Sequence, residues 1–225
     1  RPPVTLGLNT SYTCAMTATT PADHENISTV TPADTRAWAA CMEIYRASFP
    51  EWEREPEARL VDGVRSGRYV MRAAMEKNAP LAFTCLDVDK AENIPYALLM
   101  FLAVAQPARG RGLARLLIED AVEWAFSKSA SQWCLTEAEP EPAKLYQRLG
   151  FKTMDLPYAA PSFTDETSVP MALMAIPRDR ATATIDGKSL HALVARLYTS
   201  GYGLSVDDPR LVRQLEVIDQ EVRLI

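Results

Sequence analysis

Long apolar runs are missing from this sequence. None approaches the ~20 residues that a membrane-spanning helix needs. The longest, YALLMFLAVA over Tyr96–Ala105, suits a buried strand. Histidine is scarce: His24 and His191 are the only two in 225 residues, too far apart for a zinc site built on a histidine pair. The four cysteines, Cys14, Cys41, Cys85 and Cys134, show no C-x-x-C pair and no metal-ligand spacing. They read as free thiols of a reducing compartment. An excess of basic charge is also missing. Lys and Arg number 24 against 29 Asp and Glu, for a net charge of −5, so sequence-independent nucleic-acid binding is excluded. No 20–50-residue period recurs, which excludes a repeat array. The N-terminal stretch lacks the basic region and apolar core of a secretory signal. The expectation is a cytoplasmic chain with no membrane, nucleic-acid or metal partner.

What is present is ordinary for a globular protein, 48% apolar and 24% charged residues. The length allows a core that needs no covalent staple. Residues 1–26 are rich in Thr, Pro and Ala and read as a loose arm, with Tyr12 as its point of contact. Ile27–Thr31 predicts a short strand. Thr31 then reads as a helix cap with Pro32 at the first helical position. That helix runs to about Ser48, and a second from Pro56 to Gly67. Tyr69–Met75 and Leu81–Val88 predict strands joined by a turn at Lys77–Pro80. Tyr96–Val104 predicts a central strand buried on both faces. From Gly112 to Ser127 the apolar positions Leu113, Ala114, Leu117, Ile118, Ala121, Val122 and Ala125 form one broad helical stripe. A strand over Gln132–Ala138 and a helix over Pro142–Leu149 follow. Phe151–Met154 and Val169–Ile176 predict two last strands around a long loop, Asp155–Ser168.

Past Pro177 the character changes. Ser189–Ser200 predicts a helix, and Asp208 caps another. Leu211, Leu215, Ile218, Val222 and Ile225 are spaced 4-3-4-3, an apolar seam of coiled-coil type. It either docks on its own domain or joins a second copy as a homodimer. The chain thus divides into an arm (1–26), a domain (27–177) and a helical extension (178–225).

The strongest local pattern is a strand, then Arg109-Gly110-Arg111-Gly112-Leu113-Ala114, then a helix. Glycines let backbone approach a ligand, and a helix start offers unpaired N–H groups and a positive dipole end. Either this is an anion site sized for a pyrophosphate, or it is a tight turn with solvated arginines. No Gly-Lys-Ser/Thr follows and G-x-G-x-x-G is absent, so P-loop and Rossmann readings fail. Further on, a strand ends in Glu137-Ala138-Glu139-Pro140, followed by Leu145-Tyr146-Gln147-Arg148-Leu149-Gly150-Phe151.

With these residues the sequence resembles the GNAT superfamily of N-acyltransferases. Arg109, Gly112 and Ala114 match its phosphate motif R/Q-x-x-G-x-G/A. Leu145, Tyr146, Leu149, Gly150 and Phe151 match its later L-Y-x-x-L-G-F segment. The element order from Ile27 to Ile176 also resembles that family's, over about two-thirds of the chain. The resemblance implies an α/β fold, a mixed, splayed sheet of six to seven strands flanked by helices. It implies acetyl-CoA as cosubstrate, with its pantetheine arm lying between two parted strands. Leu102, Ala103 and Val104 would bond that arm, and Arg109, Gly110, Arg111, Gly112, Leu113 and Ala114 would hold the pyrophosphate. Tyr146 would protonate the departing thiolate.

Two departures from the family bear on the base. The family's frequent Glu on the fourth strand falls near Met100 here, and its frequent Asn seven residues before the tyrosine is Glu139. Glu137 and Glu139 share one strand face, and either is a candidate base. The loop Phe49–Glu57, with alternating glutamates beside Phe49 and Trp52, either attracts the cationic amine of a small-molecule or peptide acceptor or is a solvated charged loop. Tyr158 and Phe163, on the later long loop, either wall that amine site or cover the core. The activity implied is N-acetyl transfer. The alternatives are a longer acyl donor, from CoA or a carrier protein, and a non-catalytic CoA-binding module.

Overall fold

The computed structural model describes residues 26–89 and 94–225. The expected N-terminal arm, with Tyr12, Cys14 and His24, lies outside the described residues except for Asn26, which opens the first strand. The chain begins with β1 (Asn26–Val30), α1 (Thr35–Ser48), a 3₁₀ turn Glu51–Glu53 and α2 (Glu57–Ser66). The strands β2 (Tyr69–Glu76), β3 (Ala79–Asp89) and β4 (Tyr96–Val104) follow, then α3 (Leu113–Ser127), β5 (Trp133–Ala138) and α4 (Pro140–Arg148). The last elements of the domain are β6 (Lys152–Thr153), β7 (Tyr158–Pro161) and β8 (Ser168–Pro177). Beyond them lie β9 (Thr184–Asp186), α5 (Gly187–Arg196), a π turn Leu197–Gly201, α6 (Pro209–Glu216) and β10 (Glu221–Arg223).

Eight strands form one mixed sheet in the order β1-β2-β3-β4-β5-β8-β6, with β7 also paired to β8. Within it β4 and β5 run parallel; the other pairs are antiparallel. The expected count of six to seven is exceeded because part of the long loop, Tyr158–Pro161, is a strand paired with Ser168–Met171. Prolines 157 and 161 beside and at its end disguise it, as proline is confined to strand edges.

The pairing of β3 with β4 jumps from Phe101 to Leu99, leaving Met100 as one extra residue on β4. Such a bulge reverses the alternation of side chains. Tyr96 and Leu98 before it, and Phe101 and Ala103 after it, therefore pack on one face, against the C-terminal extension and α1 respectively. Ala97 and Leu99 pack on the other face, against Ile118 and Ala121 of α3. The α3 stripe is buried at Leu113, Leu117, Ile118, Ala121 and Ala125, while Ala114 and Val122 at its margins are half-buried.

Two helix starts differ from expectation. The cap of α1 is Asp34, whose carboxylate accepts from the Ala37 N–H at 3.2 Å. Thr31 and Pro32 belong to the preceding turn, closed by Asp34 N–H to the Thr31 carbonyl at 3.0 Å. Helix α4 begins at Pro140 rather than Pro142, because the first-turn positions of a helix tolerate proline.

The larger correction is at the C-terminus. The five seam residues do not form one helical stripe. Helix α6 ends at Glu216, and the chain turns to pair β10 with β9. The turn comes so close to α5 that a Cβ on Gly187 would lie 2.1 Å from the Asp219 carbonyl oxygen. The Gly187 N–H instead donates to the Gln220 carbonyl at 2.6 Å. Leu211 and Val222 are buried against Ile94, Tyr96, Leu135 and Leu193, whereas Ile225 is 63% exposed. Backbone pairing and burial outweigh the heptad spacing because two heptads are too short to hold a helix by themselves. No helix among the described residues is long and apolar enough to cross a membrane.

Candidate active site

β4 and β5 pair only from Tyr96–Trp133 to Leu99–Thr136. Past the Met100 bulge they part, and the backbone of Met100–Val104 faces a cavity of about 460 Å³ instead of a neighbouring strand. Leu102, Ala103 and Val104 line one side of this gap, and Ala138 of β5 the other. The turn into α3 closes one end with Arg109, Gly110, Gly112, Leu113 and Ala114. Gly112 is the N-cap residue at φ 84°, a left-handed conformation that glycine alone adopts freely. No side chain caps the first turn of α3, so its leading N–H groups are free for an anion. Among the phosphate-site residues named from the sequence, Arg111 does not line the cavity. Its guanidinium pairs with Glu76 at 2.8 Å.

At the other end stand Phe49, Glu53, Met100, Glu137, Glu139 and Tyr146. Tyr146, on α4, is 6% exposed and meets Phe151 edge-on at 5.3 Å. Gly150 at φ 92° turns the chain back, and the Phe151 N–H donates to the Tyr146 carbonyl at 3.1 Å. Those contacts explain why Tyr, Gly and Phe occur together. Burial pushes the Tyr146 phenol up to about 12, opposed by the Thr136 hydroxyl. The phenol therefore carries its proton throughout the neutral range.

The two carboxylates on β5 have different surroundings. Glu137 accepts hydrogen bonds from Tyr158 and from Tyr202, the latter at 2.8 Å. Burial holds its carboxyl above the ordinary carboxylate range, against those two hydroxyls. Glu139 is exposed at the start of α4. Tyr158 is a core residue, 5% exposed, that holds Glu137 and lines neither cavity of the site. Tyr202, from the C-terminal extension, escaped sequence reasoning; no motif marks it.

Glu53 also escaped it, although its loop was singled out. Of the four alternating glutamates, three have partners. Glu51 pairs with Arg54 at 3.3 Å, Glu55 with Arg59 at 3.0 Å and Glu57 with Arg46 at 2.6 Å. Glu55 also accepts from the Tyr69 hydroxyl at 3.0 Å. The Glu53 carboxylate has no hydrogen-bond or ion-pair partner among the described residues and lines the cavity beside Met100. Burial, with Glu139 and Glu137 nearby, pushes it up to about 7. No signal in the sequence separates it from its three neighbours, since Glu57 finds its arginine 11 positions away.

A second, narrower cavity adjoins the first and shares Glu53, Met100, Glu137 and Met171 with it. Trp52 and Phe163 line it, and the Phe163 N–H donates to the Trp52 carbonyl at 2.8 Å, clasping the two loops together. Phe163 meets Tyr202 at 4.9 Å between ring centroids. Phe49 packs between Tyr45 and Phe101, at 5.4 and 5.2 Å. Among the described residues no group of three or more His, Cys, Asp or Glu is arranged to hold a metal ion.

Residues 38–151 match the model of the acetyltransferase (GNAT) family. No curated protein matches the chain by sequence. Among solved structures, a GNAT-family protein from Bacteroides thetaiotaomicron superposes with a TM-score of 0.65 at 18% identity, covering 80% of this chain and 99% of that one. The GNAT-superfamily phosphinothricin acetyltransferase from Sinorhizobium meliloti, in complex with acetyl-CoA, gives 0.51 at 20% identity, over 68% and 87%. The ribosomal-protein-S18-alanine N-acetyltransferase from Escherichia coli gives 0.52 at 22%, over 70% and 96%. At these identities the likeness establishes the fold.

Proposed function

Because the chain belongs to the GNAT acetyltransferase family, we propose that it transfers an acetyl group from acetyl-CoA to a primary amine of a small molecule or peptide. The observation that carries this reading is the parting of β4 from β5 between an uncapped helix start and Tyr146. The residues fit such a donor. The β4 backbone groups that point across the gap need partners once water is displaced, and an extended amide-bearing arm supplies them. Adding a Cβ to Gly110 or Gly112 would meet nothing within 4 Å, so both positions border open space where a pyrophosphate can approach the N–H groups.

The thioester supplies an activated carbonyl. Glu53 takes a proton from the acceptor ammonium, directly or through one water, and frees the nitrogen lone pair. A β4 N–H meets the oxyanion that develops as nitrogen attacks. As the C–N bond forms and the C–S bond breaks, Tyr146 gives its phenolic proton to the sulfur. The nitrogen's second proton passes to the phenolate as the amide forms, which restores Tyr146, and the proton on Glu53 goes to solvent. An ammonium and a thioester thus become an amide, a thiol and one released proton. Glu53 suits the task better than Glu137, both of whose oxygens are held by tyrosine hydroxyls. Glu139 lies more exposed and contributes to the acidic field.

Acetyl-CoA is expected to raise the melting temperature, since a ligand of the folded state alone stabilises it by about 2.7 kcal/mol at 100-fold excess over Kd. No shift at millimolar acetyl-CoA would sink the donor assignment. A thiol-release assay with amines then reads the transfer itself.

A further inference from the structure

The family match ends at Phe151, yet a side chain from well beyond it reaches the site. Tyr202 of the C-terminal extension lines the narrow cavity and donates to Glu137 at 2.8 Å. Its place is firmly set. Arg59 and Arg68 donate to the neighbouring Gly201 and Ser200 carbonyls at 2.9 and 3.0 Å. Both guanidiniums are themselves held by carboxylates, Arg59 by Glu55 at 3.0 Å and Arg68 by Asp87 at 2.5 Å. The Tyr202 ring packs between Phe163, at 4.9 Å, and Tyr198, at 6.1 Å. Its N–H donates to the Leu197 carbonyl at 3.2 Å and closes the π turn. Filling this space would need only the ring; the hydroxyl goes to a carboxylate.

Glu137 stands where the two cavities meet, and so does Glu53. Glu137 accepts from Tyr158 and Tyr202. Such bonds favour the charged form of a carboxyl and oppose the effect of burial. They stabilise the negative charge without cancelling it. Like charges hinder each other's ionisation, and the neighbours that hinder Glu53 are Glu139 and Glu137. Other polar groups surround the junction. Tyr146 of α4 and Arg109 of the α3 turn lie on the donor side. Asp87 of β3, paired with Arg68, lies on the other, with Tyr198 behind Tyr202. Arg54, next to Glu53 in the chain, is turned to Glu51 at 3.3 Å. Of the carboxylates here, Glu137 alone accepts a side-chain bond from the extension.

We infer that Tyr202 is a positioning residue of the transfer: its hydroxyl holds Glu137 as a fixed negative charge at the junction, and that charge sets how tightly Glu53 keeps the acceptor's proton. The inference rests on the acetyl-transfer reading above, with Glu53 as base. It makes the extension a working part of the site as well as a cover for the core. Without the hydroxyl, Glu137 takes up a proton at higher pH. A neutral Glu137 no longer repels the charge on Glu53, so the Glu53 proton leaves at lower pH.

The test is a carbon-13 NMR titration of the glutamate carboxyls in the full chain, for wild type, Tyr202→Phe, Glu137→Gln and the double variant. Glu53→Gln identifies the Glu53 signal by its loss. Glu137→Gln is expected to lower the Glu53 midpoint by roughly half a pH unit or more, the effect of removing one nearby like charge. Tyr202→Phe, which keeps the ring and its stacking, is expected to lower it by less. Added to Glu137→Gln, it is expected to move the midpoint no further, because its route to Glu53 runs through Glu137. The inference is overturned if Tyr202→Phe leaves the Glu53 midpoint at its wild-type value. It is overturned too if Glu137→Gln leaves that midpoint unmoved, or if the Tyr202→Phe effect persists at full size in the Glu137→Gln background. Should Glu137→Gln fail to fold, Tyr202→Phe against wild type still decides: a lowered midpoint supports the inference and an unchanged one overturns it. The acetyl-CoA melting shift is read on the same samples and is expected to be unchanged by Tyr202→Phe. Its absence from the wild type removes the donor reading, and with it any role of Tyr202 in transfer, whatever the titration shows.

Discussion

At the residue scale, the chemistry turns on where two protons sit. Burial keeps the Tyr146 proton in place up to about pH 12. Burial also raises Glu53 to about 7, so its carboxyl is mostly charged only above that pH. On the proposed mechanism kcat/KM rises as pH climbs through about 7. Glu53→Gln is expected to abolish that limb and to lower kcat by roughly 10²–10³-fold; a pH–rate profile of both proteins checks this. The same group links stability to pH. A carboxyl raised in the folded state favours folding at pH below its ordinary 4.5, and that contribution is lost as pH rises to about 7. Denaturant titrations across that window are expected to show a shallower fall for Glu53→Gln. Tyr146→Phe is expected to lower kcat while leaving the acetyl-CoA melting shift intact, since on the proposed mechanism the phenol acts on the leaving sulfur. Unchanged turnover would remove it from the mechanism.

At the scale of elements, the site is made by one extra residue. Met100 bulges from β4, and the strand leaves β5 right after Leu99. Beside it, the turn into α3 depends on Gly112 at φ 84°. Gly112→Ala forces an L side chain into the left-handed region, at ~1–2 kcal/mol, and sets a methyl in the groove. A weaker acetyl-CoA affinity by isothermal titration is the expected result, with a lower melting temperature. The helix stripe of α3 and the central strand Tyr96–Val104 were legible because periodicity and local turn chemistry decide them. β7 was not, because its four residues contain no run of β-formers and it exists only by pairing with Ser168–Met171.

At the scale of the whole molecule, the C-terminal extension completes both the core and the narrow cavity. Gln214 of α6 accepts from the Ala159 N–H at 3.1 Å and donates to the Pro157 carbonyl at 2.8 Å, tying the extension to β7. Leu211, Val222 and Leu224 are buried, and each such side chain stabilises by ~1.5–3 kcal/mol. Removing residues 204–225 is therefore expected to cost a large part of a typical 5–15 kcal/mol stability. Thermal melting should show a strongly lowered transition or a protein that aggregates. A soluble fragment of equal stability would mean that these contacts contribute little.

What the amino-acid order determined by itself was local. Gly-rich backbone at Arg109–Ala114, the Tyr146–Phe151 turn and the apolar stripes follow from spacing and conformational freedom, and with them the strand-turn-helix proposed to hold an anion. What only the tertiary structure decided was which charges remain unpaired. Glu51, Glu53, Glu55 and Glu57 are alike in sequence, yet three find arginines and one faces the groove. Likewise Glu137 is held by a tyrosine 65 positions away. A charge's function depends on its distance from every other group in space, and that distance is not a local property of the chain.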